Sequence, residues 1–505
     1  MRLKAPCFYL PVIFASLIFF QFIPANASGQ PHFDNDTFIQ PVKPGTQPAI
    51  GQPSPTIIIR GPAPEQNNQT TFDHTQKTKK ITTPLSVEQE LHNHPDLAEQ
   101  LVTANLLDQN WPVLSELLPI YAQIKEHDPI LLSYAQGALY RHQGKHTQAI
   151  NEYRNILAAQ PELVYVRFDL AAMLFENKQY IAAKDQFHKV NAADLPQDLR
   201  DLIHQYLEAI QKQEGWDFSA GLQYTHSDNV NNASSIEEIK VGSLIFIKDK
   251  DALPQSGNGM GYNLGATKDF NLRDHHYLAF NTQLYGLEYW DAQDYSELII
   301  RVGAGYKYQD FQTTFSLTPF IEQTWLGGQK YGFNQGASVE IRRWLNHQNQ
   351  IVSTYHYIHK SYNDSALEHY EGNLQHVSLS LIHFFSPTLI LIGGVDTQWD
   401  ILNSKDESSR KYGLHAGVIK EWANSISTRV NLRVAHRLFD DEHYFMPQTR
   451  KDHEYQLDLS FWHRKIHWQG ITPKINYRYI KIDSNIPEFY TRDSRQLFIS
   501  FEKTF

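Results

Sequence analysis

The chain has 505 residues, a formal net charge of −10 and an aromatic content of 13%. The negative charge and the lack of a long basic run argue against a nucleic-acid partner. After residue 20 no segment of the sequence approaches the ~20 apolar residues of a membrane-spanning helix, so any membrane embedding would have to come from a β-barrel, with Tyr and Trp at its rims.

A secretory signal peptide is predicted for residues 1–27. Basic residues precede an apolar stretch, Phe8–Phe20, and the small residues Ala25 and Ala27 offer a cleavage site. The single cysteine, Cys7, lies inside this segment. The exported chain would therefore hold no thiol, which excludes disulfides, thiolate metal sites and cysteine nucleophiles.

Residues 28–84 are predicted to form a disordered tether. The segment is rich in Pro, Gln, Asn and Thr and has little hydrophobic periodicity, so it cannot bury enough apolar surface to order itself. One short run, Thr56–Ile59, is prone to form a β-strand. This run either adds to a sheet edge, plugs the barrel lumen or is an incidental part of the linker.

A helical period follows, with a self-match at a spacing of 34 residues. Ala149 aligns with Ala183, and the aromatic Tyr153 aligns with Phe187. Small and aromatic residues at this repeat length are typical of tetratricopeptide repeats, in which small residues let paired helices approach closely. The sequence therefore predicts a small all-α solenoid. A degenerate earlier repeat is expected at 97–125 and a capping helix at 199–212.

One face of these repeats is a candidate client-binding surface. Because Leu170 and Leu174 take the packing positions of their helix, residues on its opposite side would line the concave surface of the solenoid. An aromatic surface with one guanidinium suits an extended or partly folded polypeptide. The alternative left open is that a neighbouring helix covers these aromatic side chains. The candidate residues are Tyr134, Arg141, Tyr165, Phe168 and Phe175.

From Trp216 onward the hydrophobic period becomes two, which is typical of transmembrane β-strands with apolar residues toward lipid and polar residues toward a wet lumen. We predict about fourteen strands, and an even count leaves both barrel ends on the periplasmic side. Short connections after even-numbered strands and longer ones after odd-numbered strands agree with this orientation. The predicted strands are 216–225, 260–269, 276–287, 295–306, 311–323, 331–343, 350–361, 373–383, 389–400, 410–420, 426–437, 452–462, 471–482 and 495–505.

The last predicted strand ends on a Phe, like the C-terminal signal that the barrel-insertion machinery of Gram-negative bacteria reads. Lys503 departs from that signal and is either a snorkelling surface lysine or the mark of a weakened strand edge. Closure of a barrel pairs the last strand with the first, so these two strands form a seam. The predicted seam residues are Trp216, Phe218, Leu222, Tyr224, Leu497, Ile499, Phe501 and Phe505.

The domain order and the run Gly221–Asn231, with its Tyr-x-x-Ser-Asp-Asn-x-Asn pattern, resemble the surface lipoprotein assembly modulator (Slam) family. The resemblance implies an outer-membrane translocator for surface proteins, mostly lipoproteins that capture host iron or haem and in some branches soluble haem carriers. The expected partners are such a client, outer-membrane lipid, the barrel-insertion machinery and periplasmic chaperones, and no cofactor is expected. The predicted segments are the signal peptide 1–27, the tether 28–84, the periplasmic tetratricopeptide domain 85–214 and the outer-membrane barrel 215–505.

The physics of barrels suggests a route for such a client. A chain held unfolded by the repeats would thread the lumen, and a lipid anchor would leave sideways through the seam between the first and last strands. Two alternatives use the same barrel. A passive or ligand-selective pore has no need of repeats, and a polysaccharide exporter usually has many more repeats and a strongly charged lumen.

An enzymatic function is not predicted. His356 and His359 are candidates for a lipase-like site, but no nucleophile elbow or matching spacing accompanies them. The run Phe439–His443 places three carboxylates and an imidazole on one loop, where they would either hold a divalent cation or form a solvated acidic loop. No second set of ligands at a matching spacing supports the cation, so we predict the solvated loop.

Overall fold

The computed structural model describes residues 85–193, 195–241, 244–469 and 471–504. Along the chain they divide into a helical unit that ends at Glu214 and a β-barrel unit that begins at Gly215. The predicted signal peptide, the predicted tether and Phe505 lie outside the described residues. Within the described ranges, no helix has the length and apolar character needed to cross a membrane.

The helical unit is a run of helices in which each packs on its neighbours along the chain. This confirms the all-α fold predicted from the helical period. The helices are α1 (Leu85–Asn93), α2 (Pro95–Leu107), α3 (Trp111–Tyr121), α4 (Pro129–His142), α5 (His146–Ala159), α6 (Val164–Glu176), α7 (Tyr180–Asn191) and α8 (Gln197–Gln213).

Small residues bring the paired helices together. On α4, a Cβ added to Gly137 would lie 3.3 Å from both the Cβ of Glu152 and the ring of Tyr153 on α5. Ala149 and Ala183, which align at the repeat spacing, are both fully buried. A larger side chain at any of these positions would push the helices apart, which is why the repeat conserves size across its two copies.

The turns inside the helix pairs share a left-handed backbone conformation. Gln109, Gly144 and Lys178 have φ values of 53°, 72° and 62°, and each follows the first helix of a pair. Glycine adopts this conformation without steric cost, whereas Gln and Lys place a Cβ close to a carbonyl oxygen. The turn geometry therefore repeats even where the glycine does not.

The second unit is a closed antiparallel barrel of fourteen strands, as predicted. Barrel strands pair in chain order, and β1 closes on β16. The hairpin of β2 and β3 lies outside the barrel, in the long connection after β1, and the period-two pattern did not predict it. The strands are β1 (Asp217–Ser227), β2 (Glu238–Val241), β3 (Leu244–Ile247), β4 (Gly257–Arg273), β5 (His276–Tyr289), β6 (Glu297–Gln309), β7 (Thr313–Leu326), β8 (Gln329–Asn346), β9 (Asn349–Tyr362), β10 (Gly372–Ser386), β11 (Leu389–Leu402), β12 (Ser409–Glu421), β13 (Ile426–Glu442), β14 (Thr449–His463), β15 (Lys474–Ser484) and β16 (Arg492–Thr504).

Residues alternate between the two faces of the barrel wall. On neighbouring strands β12 and β13, Leu414 and Leu432 are 59% and 52% exposed on the outer face, whereas Lys411 is fully buried. An apolar outer face suits contact with lipid, because closure of the barrel lets neighbouring strands pair their backbone groups within the wall.

The connections follow the predicted alternation of short and long with two exceptions. β7 and β8 are joined by a two-residue turn, Gly327 and Gly328, where a longer outer loop was expected. The positive φ angles of both glycines allow this tight reversal. At the end of the barrel where β1 begins, the connection from β14 to β15 is longer than expected, and it exposes Ile466 and Trp468.

Candidate functional site

Two of the five predicted client-binding residues lie in the core of the helical unit. Tyr134 and Phe168 are each 5% exposed. The ring of Phe168 meets Phe187 of α7 and Tyr206 of α8 edge-on, with centroids 5.8 and 6.1 Å away. The capping helix α8 therefore covers this part of the face, which is the alternative that the sequence left open. In this conformation neither Tyr134 nor Phe168 offers a surface to a client.

The other three predicted residues, Arg141, Tyr165 and Phe175, are half-buried. Arg141 forms an ion pair with Glu176, with its Nε donating to Oε2 at 3.2 Å. The ring of Phe175 lies 5.3 Å from that of Tyr206. The guanidinium is thus already neutralised within the unit. Glu176 was missed on the sequence, although it lies 35 residues after Arg141, close to the repeat spacing.

Polar pairs link α4 to α6 across consecutive repeats. The hydroxyl of Tyr134 donates to Asp169 Oδ2 at 2.7 Å. Burial raises the pKa of Asp169 to about 6, against the opposing hydrogen bond from Tyr134 and the charge of Arg141. Burial alone would also raise the pKa of Glu176, but Arg141 and a hydrogen bond from His146 lower it to about 2. Asp169 is consequently a buried carboxyl that titrates close to pH 6.

Inside the barrel, charged side chains pair with one another along the wall. Arg433 of β13 donates to Asp396 of β11 at 2.6 Å. Glu454 of β14 lies 3.2 Å from Lys411 and 3.1 Å from Arg437. The inner face is polar, as the alternation predicts, and these charges form oppositely charged pairs. Further inward pairs are Lys360 with Asp400, Arg301 with Glu322, and Arg478 with Asp458.

The seam between β1 and β16 is a short ladder. It contains nine residue pairs, from Ser219 opposite Thr504 to Ser227 opposite Gln496. The ladder between β15 and β16 also has nine pairs, whereas β12 and β13 pair over thirteen residues. β16 therefore has a short ladder on each side, and its separation from β1 would break fewer backbone hydrogen bonds than opening the wall between β12 and β13.

Five of the predicted seam residues meet on the outer face of this ladder. Leu222 lies opposite Phe501, Tyr224 lies opposite Ile499, and Leu497 belongs to the next outward pair. All five are exposed on the outer face.

Three predicted seam residues lie beyond the described part of the ladder. Trp216 and Phe218 precede Ser219, where that part begins, so their place in the seam stays a prediction. The ring of Trp216 stacks on Phe218 and meets Phe270 and Phe280 edge-on, at centroid distances of 5.8–6.4 Å. These two side chains form an outward aromatic cluster with β4 and β5. Phe505 lies outside the described residues.

The candidate catalytic and cation-binding side chains have structural partners. His356 lies 3.0 Å from Ser338 Oγ, and His359 lies 3.0 Å from Asn373 Oδ1. The loop predicted for Phe439–His443 is wrong in part, because β13 continues to Glu442 and carries the three carboxylates, and only His443 lies in the connection to β14. His443 Nε2 is 2.7 Å from the Tyr490 hydroxyl, and burial, helped by the positive charge of Arg450, lowers the pKa of this histidine. Across the described ranges, no group of three or more His, Cys, Asp or Glu side chains is arranged to hold a metal ion.

Comparison with known proteins assigns both units to one family. Residues 216–505 match the family described as surface lipoprotein assembly modifier, and residues 86–187 match the N-terminal tetratricopeptide repeats of that family. Surface lipoprotein assembly modifier 1 of Haemophilus influenzae is 30% identical, over 83% of this chain and 86% of that protein. Surface lipoprotein assembly modifier of Pasteurella multocida is 30% identical, over 83% and 85%. The hemophilin secretion modulator of Acinetobacter baumannii is 24% identical, over 83% and 87%.

Solved structures give only a weak likeness. A FadL homologue of Pseudomonas aeruginosa covers 57% of this chain, and 90% of its own chain is matched, with 10% identity and a TM-score of 0.33. The family assignment therefore comes from the sequence matches, which cover more than half of the chain and include relatives at 30% identity. The chain belongs to the surface lipoprotein assembly modifier family.

Proposed function

We propose that the protein is an outer-membrane translocator that captures a periplasmic client and delivers it to the cell surface. The observation that carries this proposal is the joining of tetratricopeptide repeats and a closed fourteen-strand barrel in one chain, with both parts matched to one family. Repeats of this kind present extended surfaces for binding other proteins. A pore for small solutes would have no need of them.

The client is a surface lipoprotein or a protein of haem or iron acquisition. Support comes from the relatives, two of which are named for the assembly of surface lipoproteins and one for the secretion of hemophilin. The half-buried side chains Arg141, Tyr165 and Phe175 supply the client contact on the helical unit. A polypeptide then crosses the barrel, and a lipid anchor, where one is present, leaves through the seam of β1 and β16.

Deletion of the gene, with surface proteins identified by mass spectrometry, tests this function. We expect one or a few proteins to leave the cell surface and accumulate in the periplasm, and the full-length chain to restore them. A deletion strain with all surface proteins in place and altered uptake of small solutes would show a pore. Loss of a surface polysaccharide alone would show a polysaccharide exporter.

A further inference from the structure

The connection after β1, residues 228–256, crosses the seam at the end of the barrel where β1 ends and β16 begins. With the repeats in the periplasm, as the proposed function has them, this is the extracellular end. Its first residue already bonds to the last strand. The Asp228 carboxylate accepts a hydrogen bond from the amide of Arg495 at 2.7 Å, and the Asp228 amide donates to the Arg495 carbonyl at 3.2 Å. Asp228 thereby extends the attachment of β1 to β16 beyond the nine-pair ladder.

Asn229 makes a second bond across the seam. This side chain is 3% exposed, and its Nδ2 donates to the carbonyls of Ala233 and Asp493, both at 2.9 Å. Its Oδ1 accepts from the Ala233 amide at 2.9 Å. One hydrogen of the Asn229 amide group thus bonds within the loop, to Ala233, and the other bonds the loop to Asp493 at the start of β16.

The rest of the same connection is tied to loops on the far side of the seam. Ser234 Oγ donates to the Pro487 carbonyl at 2.9 Å, and Lys248 Nζ donates to the Glu488 carbonyl at 2.5 Å. Both acceptors belong to the loop between β15 and β16.

An apolar cluster adds to this attachment. It consists of Ile239 of β2 with Met446, Ile486, Phe489 and Tyr490.

Asn231 provides an internal comparison, because it belongs to the same Ser-Asp-Asn-Val-Asn run and is also 3% exposed. Its side chain accepts from the Gln255 amide at 2.9 Å and donates to the Leu253 carbonyl at 2.7 Å. Both partners lie within residues 228–256. Two asparagines of one motif, equally buried, therefore have different roles. Asn231 bonds only within the loop, whereas Asn229 also bonds the loop to β16.

We propose that Asp228 and Asn229 form a latch that holds the extracellular end of the seam closed, and that its release lets the anchor of a lipidated client reach the outer leaflet. Strand ladders open most readily from their ends, so hydrogen bonds placed at the end of a short ladder have a large effect on how often it separates. Asn229 is a positioning residue, because it acts on β16 and not on the client. The second half of this inference rests on the proposed translocation, whereas the first half concerns the seam alone.

Hydrogen exchange on the full-length protein in lipid nanodiscs tests the latch without any client. Asn229→Ala removes one buried hydrogen bond across the seam, and we expect the β16 amides paired with β1 to exchange about tenfold faster. Asn231→Ala should leave those amides unchanged, and the ladder between β12 and β13 should be unchanged in both variants. Equal acceleration in both variants, or no acceleration in either, overturns the latch.

A second variant covers the case in which Asn229→Ala does not assemble. Asp228→Ala removes the half-buried carboxylate that caps Arg495 and should accelerate the same amides by a smaller factor. In cells, loosening the latch should change the surface display of a lipidated client, with Asn231→Ala as the matched control. If seam exchange responds but a deletion strain retains every surface protein, the latch stands and the proposed function fails; unchanged seam exchange removes the latch and leaves that function in place.

Discussion

The helical unit and the barrel differ in where they place apolar and charged side chains. In the helical unit Phe187 and Ala183 are fully buried among apolar neighbours. In the barrel Leu414 is exposed on the outer face, and Lys411 and Glu454 are buried inside. Apolar side chains therefore form a core that is hidden from water in one unit and a surface that is offered to lipid in the other.

This difference decides how each unit can be tested. A charge placed at a buried apolar position of the helical unit should destabilise the unit, because the charged group would lose its hydration on folding. A pair of substitutions on opposite outward positions of two barrel strands leaves the inner ion pairs intact and acts on the separation of those strands. If cross-linking the seam has the same effect as cross-linking any other strand pair, the seam has no special role.

The largest expected effect comes from locking the seam. Leu222 and Phe501 lie opposite each other, so a Leu222→Cys and Phe501→Cys pair suits a disulfide between neighbouring strands. With the bond formed, surface display of a lipidated client should fall to background, and a reducing agent should restore it. Flow cytometry with an antibody against the client measures the change. Normal display with the seam locked removes the lateral route.

A matched pair elsewhere in the wall provides the control. Leu414 and Val434 are also opposite one another on outward positions, between β12 and β13. Cross-linking Leu414→Cys to Val434→Cys should leave client display unchanged, because that part of the wall has no need to open. No cysteine follows Cys7 in the sequence, so each engineered pair has no competing thiol after that position.

The second prediction concerns the buried face of the helical unit. Phe168→Glu places a carboxylate between Phe187 and Tyr206, and it should lower the free energy of unfolding of this unit by about 4 kcal/mol or more. Tyr165→Glu, three residues earlier and half-buried, should cost less than about 1 kcal/mol and weaken client binding. Hydrogen exchange of the helical amides in the full-length chain separates the two outcomes. A similar loss in both variants contradicts the burial of Phe168 by α8.

The two units also differed in how far the sequence predicted them. All fourteen barrel strands follow from the period-two pattern, because in a single-layer wall the alternation alone sets which face each residue takes. For helices the period shows that Phe168 lies opposite Leu170, but not which helix covers it. Tyr206 of α8 does so from nearly forty residues away, and no local pattern encodes that contact.

The candidate site shows the same limit. Alternation places Leu222, Tyr224 and Phe501 on one face, and barrel closure brings the first and last strands together, so the seam could be predicted. The contacts from Asn229 to Asp493 could not, because they join a loop to a strand 264 residues away. The Ser-Asp-Asn-Val-Asn run was recognised as a family feature without a physical reason for its residues.

The third prediction uses the buried carboxyl of Asp169. Its pKa is raised from 3.8 to about 6 in the fold, so between these values the folded state binds more protons than the unfolded state and stability falls as pH rises. From pH 5 to pH 7 this contribution amounts to about 1 kcal/mol. Asp169→Asn should remove that slope. Glu176, with its pKa lowered to about 2, contributes in the opposite sense and mainly below pH 4.5, outside this range.

Chemical denaturation of the full-length protein at several pH values, followed through the helical signal, measures the difference between Asp169→Asn and the unaltered chain. Contributions from the rest of the chain are common to both proteins and cancel in the difference. If the free energy of unfolding of the variant changes with pH as it does in the unaltered chain, Asp169 is ionised in the fold. The polar pairs between the repeats would then resemble the charged pairs of the barrel, and the two units would not differ in this respect.

The smallest expected effect is a gain in stability at a helix turn. Gln109 has a φ of 53°, a conformation that Gly144 adopts at the equivalent turn without a Cβ. Gln109→Gly should raise the free energy of unfolding of the helical unit by about 0.5 kcal/mol, because relief of the steric cost exceeds the entropy that glycine loses on folding. Asp108→Gly, at a neighbouring residue with a φ of −76°, should lower it by a similar amount. If both changes destabilise the unit, its turns are fixed by contacts other than backbone conformation.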